Sequence, residues 1–286
     1  EHRVMNIDTD DLKLLGAVAA RLKGIRPPPH RDSLLKGLVL DRVHRSSVAH
    51  QEYRTVRVED GDWRPLGSGV NGRVLRQDDA VRVEILRLEA GAELPWPDDA
   101  QAQEVLLLSG SLSSASGATS PAGVPGAVGY CVRQRSTHAE RLIAATASTV
   151  YIRHRLGGPS TLPALEAHWW DLACASPAWV DPARRRWHPS SDGVDVLPLR
   201  GDSEVVSMLV RFAAGASVPD HAHALDEDCL VLQGEMFLGD ILLRSGDYQL
   251  APAGGSHFGE NSDVGVLFFF HGALDPVLRG EPAAPR

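Results

Sequence analysis

Four residues in the C-terminal half of the chain have the types and spacing to do chemistry: His221, His223, Glu227 and His257. Imidazole nitrogens and carboxylate oxygens are the donors that zinc and other first-row divalent cations take from proteins. Side chains alternate between faces along a strand, so His221 and His223 project to the same side, and Glu227 shares their parity. His257 arrives from another strand, just past the turn-forming run APAGG. Three imidazoles and one carboxylate can then surround one divalent metal ion, with coordination positions left for water or a small-molecule ligand. The neighbours have simpler readings. Cys229 is expected in the interior as a small apolar residue. Asp220, Asp226 and Asp228 read as rim charges, His271 as a strand-end residue after LFFF, and Tyr248 and Phe258 as packing residues.

The elements that must position these ligands are short strands. VRVEILRL, VVSMLVRF, EVLLLSGS and DCLVLQGE are apolar, partly β-branched runs bounded by glycine and charge. MFLGDILL reads as two strand halves joined by a tight turn at Gly239 and Asp240. The pattern occurs twice. At a constant offset of 124 positions, Trp63, Gly69, Leu75, Arg76, Arg87, Gly91, Pro95 and Gly110 match Trp187, Gly193, Leu199, Arg200, Arg211, Gly215, Pro219 and Gly234. The chain therefore contains two copies of one small antiparallel barrel or sandwich.

The copies differ where the chemistry lies. The same offset carries His221 onto Pro97, His223 onto Asp99 and Glu227 onto Gln103, and His138 aligns with His257 only through a one-residue gap. Asp99, Glu104 and His138 remain as donors, but no spacing fixes them together. The first copy is expected to be structural and the second to hold the metal.

The organisation that follows is a helical N-terminal segment and linker (1–54), a degenerate barrel (55–156), a linker (157–183), a metal-binding barrel (184–276) and a tail (277–286). In the first segment DLKLLGAVAARLKGI has helical spacing of Leu12, Leu15, Val18 and Leu22. PPPHRDSLLKGLVLDRVHR predicts a second helix capped by Asp32 or Ser33. The Gly-, Ser- and Pro-rich stretch 110–129 predicts a mobile loop, and Trp169, Trp170 and Trp179 are expected to anchor the linker.

A formal net charge of -8 argues against a nucleic-acid surface, and the one dense basic run, Arg184 to Arg186, is too short to change that. Cys131, Cys174 and Cys229 are sparse and unpaired in pattern, as in a reducing cytoplasm. No apolar run is long enough for a membrane span. Exposed sheet edges favour homo-oligomers.

Gly215, His221, His223, Glu227 and Gly234, then Gly246, Pro252, Gly254, His257 and Asn261, fall at the fixed positions of the two cupin motifs. The chain thus resembles the cupin superfamily over about residues 55–275. The resemblance implies a mainly β fold of two tandem cupin barrels (double-stranded β-helix, or jelly roll) behind a short helical N-terminal segment. It also implies His221, His223, Glu227 and His257 as metal ligands. The second copy is similar to the cupin of ChrR-type anti-sigma factors. That similarity implies a regulatory, signal- or ligand-sensing role, zinc ahead of iron, manganese or nickel, and a sigma factor as partner. This chain departs from that family at its N-terminal end. It has no Cys before Cys131, hence no His-x-x-x-Cys-x-x-Cys zinc motif, and its helical segment is shorter than a complete sigma-binding domain. Other cupins with three histidines and a glutamate are dioxygenases or isomerases, so an enzymatic reading stays open, with no catalytic base identified.

Overall fold

The computed structural model describes residues 29–114, 120, 129–134, 141–157, 179, 186–201 and 205–273. The first predicted helix, His138, Cys174, Trp169, Trp170, most of the 157–183 linker and most of the 110–129 loop lie outside them. Within that loop Leu112–Ser114 is a strand paired with Leu142–Ala144.

The chain divides into two units, residues 1–50 and 51–286. In the first, the helix Pro29–Ala49 starts earlier than its expected caps. Proline suits the first helical position because its missing N–H would have no partner there, and Asp32 falls inside the first turn, where a carboxylate favours the helix dipole. Leu34, Leu35, Leu38, Val39, Leu40 and Val43 of this helix are all at least half exposed. No helix among the described residues is long and apolar enough to cross a membrane.

The second unit is two β barrels built on one plan, as the cupin resemblance implies. One sheet runs in the order Arg64–Gly67, Val70–Gln77, Val81–Leu88, Ser148–Leu156, Ala100–Ser109, Gly129–Gln134. The other runs His188–Ser191, Val194–Gly201, Val205–Phe212, Val266–Ala273, Glu227–Leu238, Tyr248–Ala251. Registers repeat as well. Val70 pairs with Leu88 and Val194 with Phe212, and each hairpin carries its irregularity at the same place, between Val74 and Arg76 and between Pro198 and Arg200. Trp63 stacks under Arg87 at 3.9 Å and Trp187 under Arg211 at 4.4 Å. The predicted Gly239–Asp240 turn joins Leu238 to Ile241 in one continuous hairpin.

Each barrel has its own apolar core, one around Leu88, Val105, Leu107 and Ile152, the other around Val210, Val231, Met236 and Phe268. Cys229 packs in the second. A third core lies between the barrels, where Leu75, Ile85 and Leu106 meet Leu199, Leu209 and Leu230, the same three positions of each copy. Buried ion pairs flank it with the same symmetry. Arg76 reaches Asp228 (3.4 Å) while Arg200 reaches Glu104 (2.7 Å), and Arg153 reaches Asp228 (3.0 Å) while His271 reaches Glu104 (3.4 Å). Tyr248 also donates to Asp228, and Ser207 to Glu104. One expectation changes here. Asp228 is 1% exposed and joins the barrels, so it is not a rim charge. His271 is a buried partner of Ser207 and Glu104. Glu104 is committed to this interface, so it is no donor for a first-barrel metal.

One strand crosses the repeat. Arg54–Val56, which precedes the first barrel, adds to the edge of the second barrel's sheet by pairing with Tyr248–Leu250. Asp247 fixes its end by accepting from Arg57 Nη1 and from the Val58 N–H, both at 2.9 Å. Gly246 sits where a Cβ would come within 2.6 Å of Val58, so the motif glycine leaves room for this strand.

Candidate metal centre

His221–Ala222 and Ser256–His257 form a two-stranded ladder in which His221 lies directly opposite His257. The ladder continues one residue further, since the His223 N–H donates to Gly255 O (3.2 Å) and the Gly254 N–H to His223 O (2.9 Å). Gly254, at φ +81°, permits the tight turn that makes these bonds. Asp226 pins the same turn by accepting from the Ala253 N–H (2.9 Å) while pairing with Arg76 (2.5 Å). Asp220 accepts from the Gly259 N–H (3.0 Å), so it too serves a turn. Glu227 enters from the long strand Glu227–Leu238, which pairs at its first residue with Ala251.

This geometry brings one ligand atom each of His221, Glu227 and His257 within 4.8 Å of one another. His257 Nε2 lies 3.2 Å from Glu227 Oε2, and both side chains are buried. His223 stands beside the cluster without joining it. Its ring centroid is 5.0 Å from that of His257, while its Nε2 faces the Tyr53 hydroxyl at 3.4 Å. His221 and His223 each direct Nδ1 at a backbone carbonyl, Pro219 O (3.0 Å) and Leu225 O (3.2 Å). An Nδ1–H donated in this way leaves Nε2 with its lone pair, the tautomer a metal ligand needs. Two nitrogens and a carboxylate gathered at this separation, with a third imidazole adjacent, fit a divalent cation in size and donor type.

The charges agree with that fit. Burial alone would lower the His257 pKa, but the Glu227 hydrogen bond and the charges of Glu260 and Glu227 lift it above its ordinary value. His223 moves the other way, lowered by burial and by the two neighbouring histidines despite Glu227. Glu260 was not foreseen from the sequence. It is buried, its carboxyl is pushed up by desolvation, and it interacts with His257, His221 and Glu227. Tyr53 was also unforeseen. It is separated from His223 by 170 positions, and nothing in its local sequence marks it.

The corresponding place in the first barrel is filled differently. Gln103 donates to Pro95 O (2.8 Å) and accepts from Arg133 Nη1 (2.8 Å). Arg133 stacks on Trp96 at 4.7 Å, and fully buried His154 stands 3.2 Å from Glu84. Asp99 is an exposed partner of Arg82 (2.6 Å).

A sequence model described as the ChrR cupin-like domain matches residues 51–155 and again residues 175–275. No curated protein matches the chain. Among solved structures, a proposed dioxygenase from Nostoc punctiforme superposes with a TM-score of 0.59 at 12% identity, over 82% of this chain and 87% of that one. Protein Ylba from E. coli gives 0.56 at 13% identity, over 79% and 92%. Oxalate decarboxylase from Bacillus subtilis, studied for its Mn(II) centres, gives 0.52 at 14% identity, over 77% and 76%. These likenesses establish the two-barrel fold.

Proposed function

Since the chain belongs to the ChrR cupin-like domain family, we propose that it is a regulatory metal-binding bicupin. Its second barrel holds one divalent cation, zinc in the first instance, through His221, His223, Glu227 and His257. The observation that carries this reading is the convergence of half-buried His221 with buried Glu227 and His257 at one point. The cation would supply a Lewis-acidic centre with positions open to a small ligand. The residues of the chain set its surroundings: backbone carbonyls orient two imidazoles, and Glu227 supplies the negative charge.

The proposed partner is a sigma factor, bound through the helix Pro29–Ala49. The support is the exposed leucines and valines of that helix, apolar side chains of the kind a helical partner covers. The protein on this reading acts in the cytoplasm.

Metal analysis of full-length protein from unsupplemented cells tests the centre. One equivalent of zinc per chain is expected, with none after joint replacement of His221 and His223 by alanine. Two equivalents would overturn the assignment of a single site. Co-purification of a sigma factor with the full chain, lost on Leu34→Asp plus Leu38→Asp, tests the partner.

Glu260 favours a second reading. A buried carboxyl with a raised pKa beside the cluster is the proton-transferring group a metal-dependent dioxygenase or isomerase requires. Iron in place of zinc, with oxygen consumption abolished by Glu260→Gln, would favour the enzyme.

A further inference from the structure

Tyr53 reaches the second barrel's site from outside its own sequence repeat. Its hydroxyl lies 2.9 Å from Ser256 O and 3.4 Å from His223 Nε2. Its ring meets His257 edge-on at 5.7 Å and His223 at 6.5 Å. Space for this contact is built into the turn. A Cβ at Gly255 would come within 3.0 Å of the Tyr53 hydroxyl, 2.9 Å of His223 Cε1 and 2.9 Å of Pro252 O. The strand behind Tyr53 is fixed at Arg54–Val56 and again at Asp247, so the ring is delivered to the site by a held element.

The consequence lies in what the hydroxyl faces. With Nδ1–H given to Leu225 O, the lone pair of His223 is on Nε2, and Tyr53 stands before it. A metal bound there would sit about 2.0–2.1 Å from the nitrogen. That leaves no room for the phenol oxygen where it is now. The hydroxyl gives its single proton to Ser256 O and turns its oxygen toward Nε2, so phenol oxygen and cation compete for one place, and His223 is the motif histidine outside the cluster of three.

We propose that Tyr53 is a latch on the metal centre: it holds His223 back from the cation, and ligation of the cation by His223 displaces it. This inference depends on the metal-binding reading of the second barrel. Tyr53 follows the last residue of the helix Pro29–Ala49 by four positions, so residues 50–53 are the covalent link between the latch and that helix.

The test is zinc titration of the full chain and of Tyr53→Phe against a competing chromophoric chelator, with hydrogen exchange of the amides of residues 51–53 measured at zero and saturating zinc. Removing the hydroxyl, and with it the hydrogen bond to Ser256 O that keeps the oxygen before His223 Nε2, should tighten zinc binding by about five-fold. In the wild type zinc should speed exchange at 51–53, and in Tyr53→Phe exchange should be fast with or without zinc. Weaker or unchanged zinc affinity in Tyr53→Phe would overturn the latch, as would zinc that slows or leaves unaltered the wild-type exchange. A wild type that binds no zinc would sink the metal reading itself, a different failure.

Discussion

The two barrels are copies of one design, and the difference between them lies in what neutralises the carbonyls and side chains at one interior point. In the second barrel, Glu227 faces His257 and His221 at a place suited to a cation. In the first, the matching Gln103 receives the Arg133 guanidinium, a cation the chain carries itself, clamped on Trp96. A guanidinium cannot leave and cannot exchange. A metal can do both, so on the proposed reading the second barrel's centre, among the described residues, is the one whose occupancy could change. The frame is the same in both, down to the hairpin irregularities and the stacked Trp–Arg pairs.

The largest effect that can break this comparison is at the contact between the barrels. Asp228 is enclosed by Arg76, Arg153 and Tyr248, and Glu104 by Arg200, Ser207 and His271. Asp228→Ala leaves two guanidinium groups facing an emptied buried position, at a cost of about 3–5 kcal/mol. Glu104→Ala should cost a similar amount because its surroundings are the symmetric equivalent. Urea denaturation of both variants measures this, and a large inequality between them would show that the symmetry of contacts is not a symmetry of energies.

Next comes Glu227→Gln, which gives the second barrel the first barrel's residue. The only carboxylate of the proposed ligand set is lost, and zinc affinity should fall on the order of a hundredfold. The reverse change, Gln103→Glu, should leave the metal content per chain unaltered, because the new carboxylate meets Arg133 and pairs with it. Isothermal titration of both variants decides the matter. A second equivalent of zinc in Gln103→Glu would show that the guanidinium does not stand in for a metal.

A smaller effect is expected from Arg133→Leu. The Gln103 amide oxygen then loses its buried donor, which costs about 1–3 kcal/mol. Thermal denaturation should show the loss, while zinc affinity at the second barrel stays within experimental error.

The sequence made the barrels and the convergence of His221, Glu227 and His257 legible through glycine turns and two spaced motifs. Strand parity, by contrast, also put His223 in the cluster, and the structure leaves it beside the cluster, past the end of the strand His221–Ala222 and before the strand that Glu227 opens. The offset of 124 exposed the duplication because paired residues such as Trp63 and Trp187 serve the same packing role. Contacts made across the repeat were not legible. Asp228 looked like a rim charge because Arg76 and Arg153, which bury it, lie in the other copy. Tyr53 was hidden for the same reason, and Arg133 because its partners Gln103 and Trp96, in its own barrel, are reached only once the strands close up. Glu260 sits beside motif residue Asn261 and has no periodic signature of its own; only burial beside His257 distinguishes it from a surface carboxylate.

The smallest effect separates the barrels by their response to pH. A proton on His257 and a cation compete for the same nitrogen, so metal affinity must fall as pH drops below the folded pKa of that group. Burial lowers this pKa, but Glu227 and Glu260 lift it above the ordinary imidazole value of 6.5. Competition therefore begins at a higher pH than for a solvent-exposed histidine. Below that pKa zinc affinity should fall by about tenfold per pH unit for a single displaced proton. Glu227→Gln removes the lifting charge, so the onset of the fall should move to lower pH even as overall affinity drops. The first barrel answers to none of this, since the guanidinium of Arg133 stays charged throughout the range. Zinc titrations between pH 5.5 and 8 on wild type and Glu227→Gln read the shift directly. An unmoved onset would mean that the proton being displaced is not on His257.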